Sequence, residues 1–149
     1  MKNLFKKAFG VFCFMVVTVF LPAQSEQLPD QKAMDQLSNE VVKYFAENYV
    51  ARAVGAMEPY WPIPQNEIDA FEEKSMKWFN FFEQNYGASI GQHKVKREKI
   101  ADIAIRDTYI IRYKITAVRL MFTYYKSDNG WIINSFEWDD SFTEEFRIE

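Results

Sequence analysis

Cysteine is nearly missing from this sequence: Cys13 is the only one in 149 residues. A lone thiol closes no internal disulfide and builds no thiolate metal centre, and this one sits inside an apolar stretch near the start. Histidine is as scarce, with His93 alone, which argues against zinc, an ion that typically wants about four ligands. Glycine and proline number five each, so the chain is neither collagen-like nor low in complexity. It offers no glycine-rich phosphate loop, no serine nucleophile elbow and no internal repeat. Charge is modest at 26%, with 18 basic and 21 acidic groups and a net of −3, which excludes a charge-dominated disordered chain. No apolar run reaches the ~20 residues that a membrane-spanning helix needs.

What is present is an abundance of rings. Residues are 48% hydrophobic and 17% aromatic, and each ring can bury ~150–250 Å². A chain of 149 residues has room for one core.

The first 25 residues carry Lys2, Lys6 and Lys7 and no acid, then the apolar run 8–21, then Pro22-Ala23-Gln24-Ser25. A basic start, a short apolar stretch and small residues at the end predict a cleaved export signal, cut after Ser25 or after Ala23. The rival is an uncleaved amphipathic helix, but no polar residue gives the run a second face. Gly10-Val11-Phe12 before Cys13 do not suit a lipid-attachment site. The expectation is therefore a periplasmic or secreted domain over residues 26–149, disulfide-free and with no stable membrane anchor after cleavage. Losing three lysines leaves 15 basic and 21 acidic groups. That acidity disfavours nucleic acid and anionic membrane as partners.

After Asp30, a candidate N-cap, Met34, Leu37, Val41, Tyr44, Phe45 and Val50 recur three or four apart and predict a helix. Asn48 marks a break, and Val50, Val54 and Met57 suggest a short second helix. Pro59, Pro62 and Pro64 force an extended connector. Asn66 is placed to cap a third helix carrying Ile68, Phe71, Phe79, Phe82 and Tyr86, which Gly87 ends. The period then changes to two. Tyr109, Ile111, Tyr113 and Ile115 alternate with their neighbours, as do Leu120, Phe122 and Tyr124. The stretch 108–126 is too long for one strand and predicts a turn near 115–118. Ser127-Asp128-Asn129-Gly130 is a hairpin signal in which Asn-Gly takes positive φ cheaply, with a last strand over 131–139. At least one further strand lies within 90–105. Helices first and antiparallel strands afterwards make an α+β domain.

Few residues invite chemistry. His93 lies among Lys94, Lys96, Arg97 and Lys99, on what reads as an exposed strand. Asp139 and Asp140 are adjacent, so on a strand they face opposite ways and form no dyad. No acid stands in an apolar stripe as a general base would. Asn134 alternates with Ile132, Phe136 and Trp138, which predicts an inward-facing amide, either satisfied structurally or touching a ligand. Tyr60, Trp61, Trp78, Trp131 and Trp138 read as core, or as pocket lining if the fold leaves an opening.

The segments Met57-Glu58-Pro59-Tyr60-Trp61-Pro62, Asn85-Tyr86-Gly87-Ala88-Ser89-Ile90-Gly91 and 122–140, in this order of elements, resemble the NTF2-like superfamily of α+β cones, most closely its small exported bacterial members without assigned activity. The resemblance implies three helices closing a bent sheet around a cavity. Relatives use that cavity for catalysis, for ligands or only for association. It implies an exported non-catalytic module that binds a small apolar ligand, or a second copy or another protein through the sheet, with no cofactor, metal or catalytic residue assigned. Tyr44, Tyr60, Trp61, Tyr113, Asn134 and Trp138 are the expected ligand contacts. The alternative is a cone enzyme of isomerase, dehydratase or hydrolase type, in which Tyr44, Tyr60 and Tyr113 are the candidate hydrogen-bond donors.

Overall fold

The computed structural model describes residues 25–146. The expected leader and Cys13 lie outside them. Helix α1, Gln31–Ala46, starts where Asp30 accepts the Ala33 amide at 2.8 Å, and it buries Met34, Leu37, Val41, Val42 and Phe45. It ends at Asn48, which takes the left-handed backbone at φ 58° that asparagine tolerates. Helix α2 is Val50–Met57, followed by a 3-10 turn, Glu58–Tyr60. Helix α3 runs Gln65–Tyr86. Pro64 occupies its N-cap position, so Asn66 lies inside the helix and does not cap it. Gly87 closes it at φ 79°.

Four strands follow: β1 Gly91–Ile100, β2 Ala104–Arg112, β3 Ala117–Ser127 and β4 Gly130–Asp139. They pair antiparallel in chain order, and the C-terminal 3-10 turn is Phe142–Phe146. The architecture is α+β, three helices packed on a four-stranded antiparallel sheet. The turn expected near 115–118 comes earlier, at 113–116, where Tyr113 N donates to Thr116 O at 2.9 Å. In the β3–β4 hairpin Asn129 keeps negative φ, and only Gly130, at φ 157°, is on the positive side.

Two bulges decide which side chains face the helices. On β1, Lys94 pairs with Tyr109 and Lys96 with Thr108, so Val95 is an extra residue. On β4, Ser135 pairs with Thr123 and Ile133 with Tyr124, so Asn134 is extra. A bulge resets the alternation of faces. Trp131 and Ile133 point inward before the second bulge and Phe136 after it, whereas Asn134 is exposed. The inward amide expected at Asn134 is therefore corrected: Ile132 and Phe136 do not share a face.

The core is a chain of rings between the layers. Trp61 lies 6.3 Å from Phe136, which stacks on Phe45 at 5.3 Å. Phe45 meets Phe79 at 4.9 Å, and Phe79 meets Trp138 at 5.7 Å. Trp138 packs on Trp78 and Trp78 on Phe82, both at 4.5 Å, and Phe82 reaches Tyr113 at 4.8 Å. Such offset and edge contacts add to what burial alone contributes. Ser75 stands in the α3 stripe because the Trp138 indole donates to its hydroxyl at 2.9 Å. Among the described residues no helix is long and apolar enough to cross a membrane.

Candidate functional site

The inner face of the sheet changes character towards β1. Along β2 the inward positions are Ile105, Asp107, Tyr109 and Ile111, all buried. Asp107 thus continues the stripe that begins at Tyr109, and its side chain has no exposure at all. The expectation that no acid stands in an apolar stripe is overturned. Extending the alternation two residues towards the N-terminus would have found it.

A buried carboxylate is costly unless charge and hydrogen bonds compensate it. Arg97 grips Asp107 with two parallel bonds, Nε to Oδ1 at 2.6 Å and Nη2 to Oδ2 at 2.6 Å. Lys94 adds a third at 2.9 Å. Asp35 on α1 receives both cations from the other side, Lys94 at 2.6 Å and Arg97 at 2.7 Å. Two acids and two bases therefore stitch α1 to the edge of the sheet. Lys94 and Arg97 are three residues apart, which on a regular strand places them on opposite faces. The Val95 bulge brings both to the inner face, where Arg97 is half-buried while Lys94 stays exposed, as does most of the strand, in line with the exposed basic strand expected there. His93 is exposed, with Arg112 at 3.5 Å.

Protonation follows the geometry. Burial pushes the Asp35 carboxyl up, but Lys94 and Arg97 outweigh it and hold it below the ordinary 3.8. Burial lowers Lys94, and its bonds to Asp35 and Asp107 more than restore it. Deeper in, Ser38 and Tyr124 share a hydrogen bond of 2.6 Å, and burial raises Tyr124. Burial also raises Tyr109, whose hydroxyl has no partner within hydrogen-bond geometry although Ser38 lies near it.

Two residues beyond Arg97 and Asp107, at the next position on the same face, Lys99 pairs with Ile105, and there the layers part. A cleft of about 660 Å³ opens between the first turn of α1 and the end of the sheet. Its apolar lining is Pro29 and Ala101, both exposed, with Ile105 and Trp131 beneath them at 2% and 8% exposure. Lys32, Lys99 and Lys126 line it, together with Asp30 and Asp102. Asp30 is engaged in capping α1, and Asp102 lies 3.6 Å from Lys126. Lys32 and Lys99 make no ion pair among the described residues.

The expected contact residues are distributed differently. Trp61, Tyr113 and Trp138 belong to the ring chain of the core. Burial, with Glu83 nearby, pushes the Tyr113 phenol up to about 12. Tyr44 sits half-buried on α1, donating to Glu40 at 3.0 Å, a bond that raises its own phenol. Tyr60 borders an open hollow of about 440 Å³ beside Leu37 and Gly55. Asn134 is on the outer surface. The structure joins three of the six through the chain of ring contacts, mostly edge-on or tilted, and leaves Tyr44, Tyr60 and Asn134 apart from them. The cleft itself was missed because its lysines come from three separate elements. Only Trp131, already singled out as an aromatic, carried a signal. Among the described residues no three His, Cys, Asp or Glu side chains are placed to hold a metal ion.

Compared with known proteins, the chain matches no family model, no curated protein and no solved structure.

Proposed function

We propose that this chain is an exported, non-catalytic binding module built as an NTF2-like cone, and that it takes its ligand in the cleft bounded by Ile105 and Trp131. The observation that carries this reading is the state of Asp107. It is the carboxylate on the inner face of the sheet, and its oxygens already accept three hydrogen bonds from Arg97 and Lys94. A general base needs a lone pair directed at a substrate proton. Here three of the roughly four acceptor sites close the seam between α1 and the sheet, and the side chain has no exposure through which a substrate proton could reach the remaining one. Open volume lies one step further out, over apolar residues, where binding asks for no proton transfer.

One observation favours the enzyme alternative: the buried Tyr109 hydroxyl, unpartnered and two residues from Asp107. An isomerase- or dehydratase-type site uses such a donor, yet it also needs a base free to act.

Native mass spectrometry of protein recovered from its own host tests the binding reading. The expected result is a mature chain beginning at Glu26 that carries a retained small molecule. A bare monomer, or a chain still holding residues 1–25, counts against binding or export respectively.

A further inference from the structure

We infer that the ligand of the cleft is a small organic anion with an apolar body, its rings or alkyl part lying on Ile105 and Trp131 and its carboxylate or phosphate group held by Lys32 and Lys99. The inference rests on the reading of this cleft as the binding site and adds the chemical class of what it binds.

The charge balance of the cleft points this way. The chain as a whole is acidic, at −3, yet three lysines meet two aspartates here. Asp102 is paired with Lys126, and Asp30, which caps the Ala33 amide but keeps its charge, leaves the three lysines in excess of the two aspartates. The α1 N-terminus is therefore occupied by its own cap, and the attraction for an anion comes from the ammonium groups of Lys32 and Lys99. Lys99 is on the inner face, since its cross-strand partner is Ile105. Its neighbours on that face, Lys94 and Arg97, are neutralised by Asp35 and Asp107. Lys99 thus ends the row of inward cations as the one with no acid paired to it among the described residues. A neutral apolar ligand would use Trp131 and leave that charge unanswered. An inorganic anion would use the charge and leave the apolar lining, Pro29, Ala101 and the open edge of Trp131, without a partner. A molecule with both parts satisfies the whole lining, and charge-assisted hydrogen bonds beside apolar surface are the stronger kind.

A matched pair of probes tests this: 1-naphthoate, and the neutral 1-naphthalenemethanol with the same rings. Both are titrated into the full-length mature protein, with amide and indole shifts read by NMR. Naphthoate is expected to shift the Trp131 indole and the Lys99 and Ile105 amides saturably, and to bind about tenfold more tightly than the alcohol. In Lys32→Gln/Lys99→Gln the two affinities should converge to within about twofold, with that of the alcohol unchanged. Equal affinities in the unaltered protein, or a preference for naphthoate that survives in the double variant, would overturn the anion assignment while leaving the cleft a binding site. If neither probe moves the Trp131, Lys99 or Ile105 signals, the cleft is not the ligand site and the reading under it falls as well. Both lysines are at the surface, so loss of folding is not expected, and circular dichroism of the variant checks it.

Discussion

At the residue scale the four charges of the α1–β1 seam set the strongest constraint. Asp107 has no exposure, whereas the Arg97 and Lys94 side chains keep 23% and 29% of theirs. The two partners are therefore unequal when one is removed. Arg97→Met strands a buried carboxylate with Lys94 alone and should cost about 3 kcal/mol. Asp107→Leu leaves two cations that can turn to Asp35 and to water, and should cost less. The double variant keeps the balanced Lys94–Asp35 pair and should be more stable than Arg97→Met alone. Urea midpoints check the order; costs that simply add would mean that the pair is not coupled. Asp107 was legible from alternation with Ile105, Tyr109 and Ile111. Its partners were not, because the Val95 bulge that turns Lys94 and Arg97 to one face has no residue signature.

The buried phenols give a second expectation at this scale. Burial raises Tyr109, Tyr113 and Tyr124 above the ordinary 10.0, so the folded state holds their protons more tightly than the unfolded chain does. Stability from this source is intact below pH 10.0 and falls as the pH rises towards about 12, the value for Tyr113. In an alkaline titration these three phenols should gain phenolate absorbance together, in the same step in which circular dichroism reports unfolding. Gradual ionisation of all eight tyrosines before any loss of structure would refute their burial.

At the element scale, the breaks at Asn48 and Gly87 were read correctly, whereas Pro59, expected to open an extended connector, sits in the 3-10 turn Glu58–Tyr60, and Asn66 does not cap α3. Asn48 takes a left-handed backbone, Pro64 stands at the start of α3, and Gly87 ends it. Gly130 has a tighter reason than the hairpin signal suggested. The strap before α1 bridges to β4, Leu28 N to Trp131 O and Trp131 N to Leu28 O, both at 2.8 Å. A Cβ on Gly130 would meet the Leu28 carbonyl oxygen at 2.7 Å, at a φ that L residues rarely adopt. Gly130→Ala should therefore destabilise by about 1–3 kcal/mol. Gly55, inside α2 with nothing within 4 Å of its would-be Cβ, sets the contrast: Gly55→Ala should stabilise by ~0.5–1 kcal/mol through helix propensity. Opposite signs of the melting-temperature shift are the expected readout. A contact between strap and hairpin about 100 residues apart in the chain has no local sequence signal, so the sequence reading gave Gly130 only its turn.

For the whole molecule, the decisive question is whether helices and sheet can stand apart. Phe71, Trp78, Phe79 and Phe82 of α3 have their ring partners in Phe136 and Trp138 of β4 and in Tyr113, and Phe45 of α1 stacks on Phe136. Neither half encloses its apolar residues alone. The ion seam at the other side ties Asp35 of α1 to β1 and, through the shared cations, to β2. Removing the sheet would expose the rings of α3 and uncover the buried side of α1 at once, and the helices that remain would lack the tertiary packing on which their stability depends. Unfolding should then be one cooperative transition. Tryptophan emission reports the packing between layers, since Trp61, Trp78 and Trp138 lie in the ring chain and Trp131 at the strap, while far-ultraviolet circular dichroism reports helices and strands. In urea the two curves should superimpose with a single midpoint, and a fragment ending at Gly87 should show little stable helix. Separate midpoints, or a helical fragment that melts cooperatively by itself, would mean that the helical layer carries a core of its own.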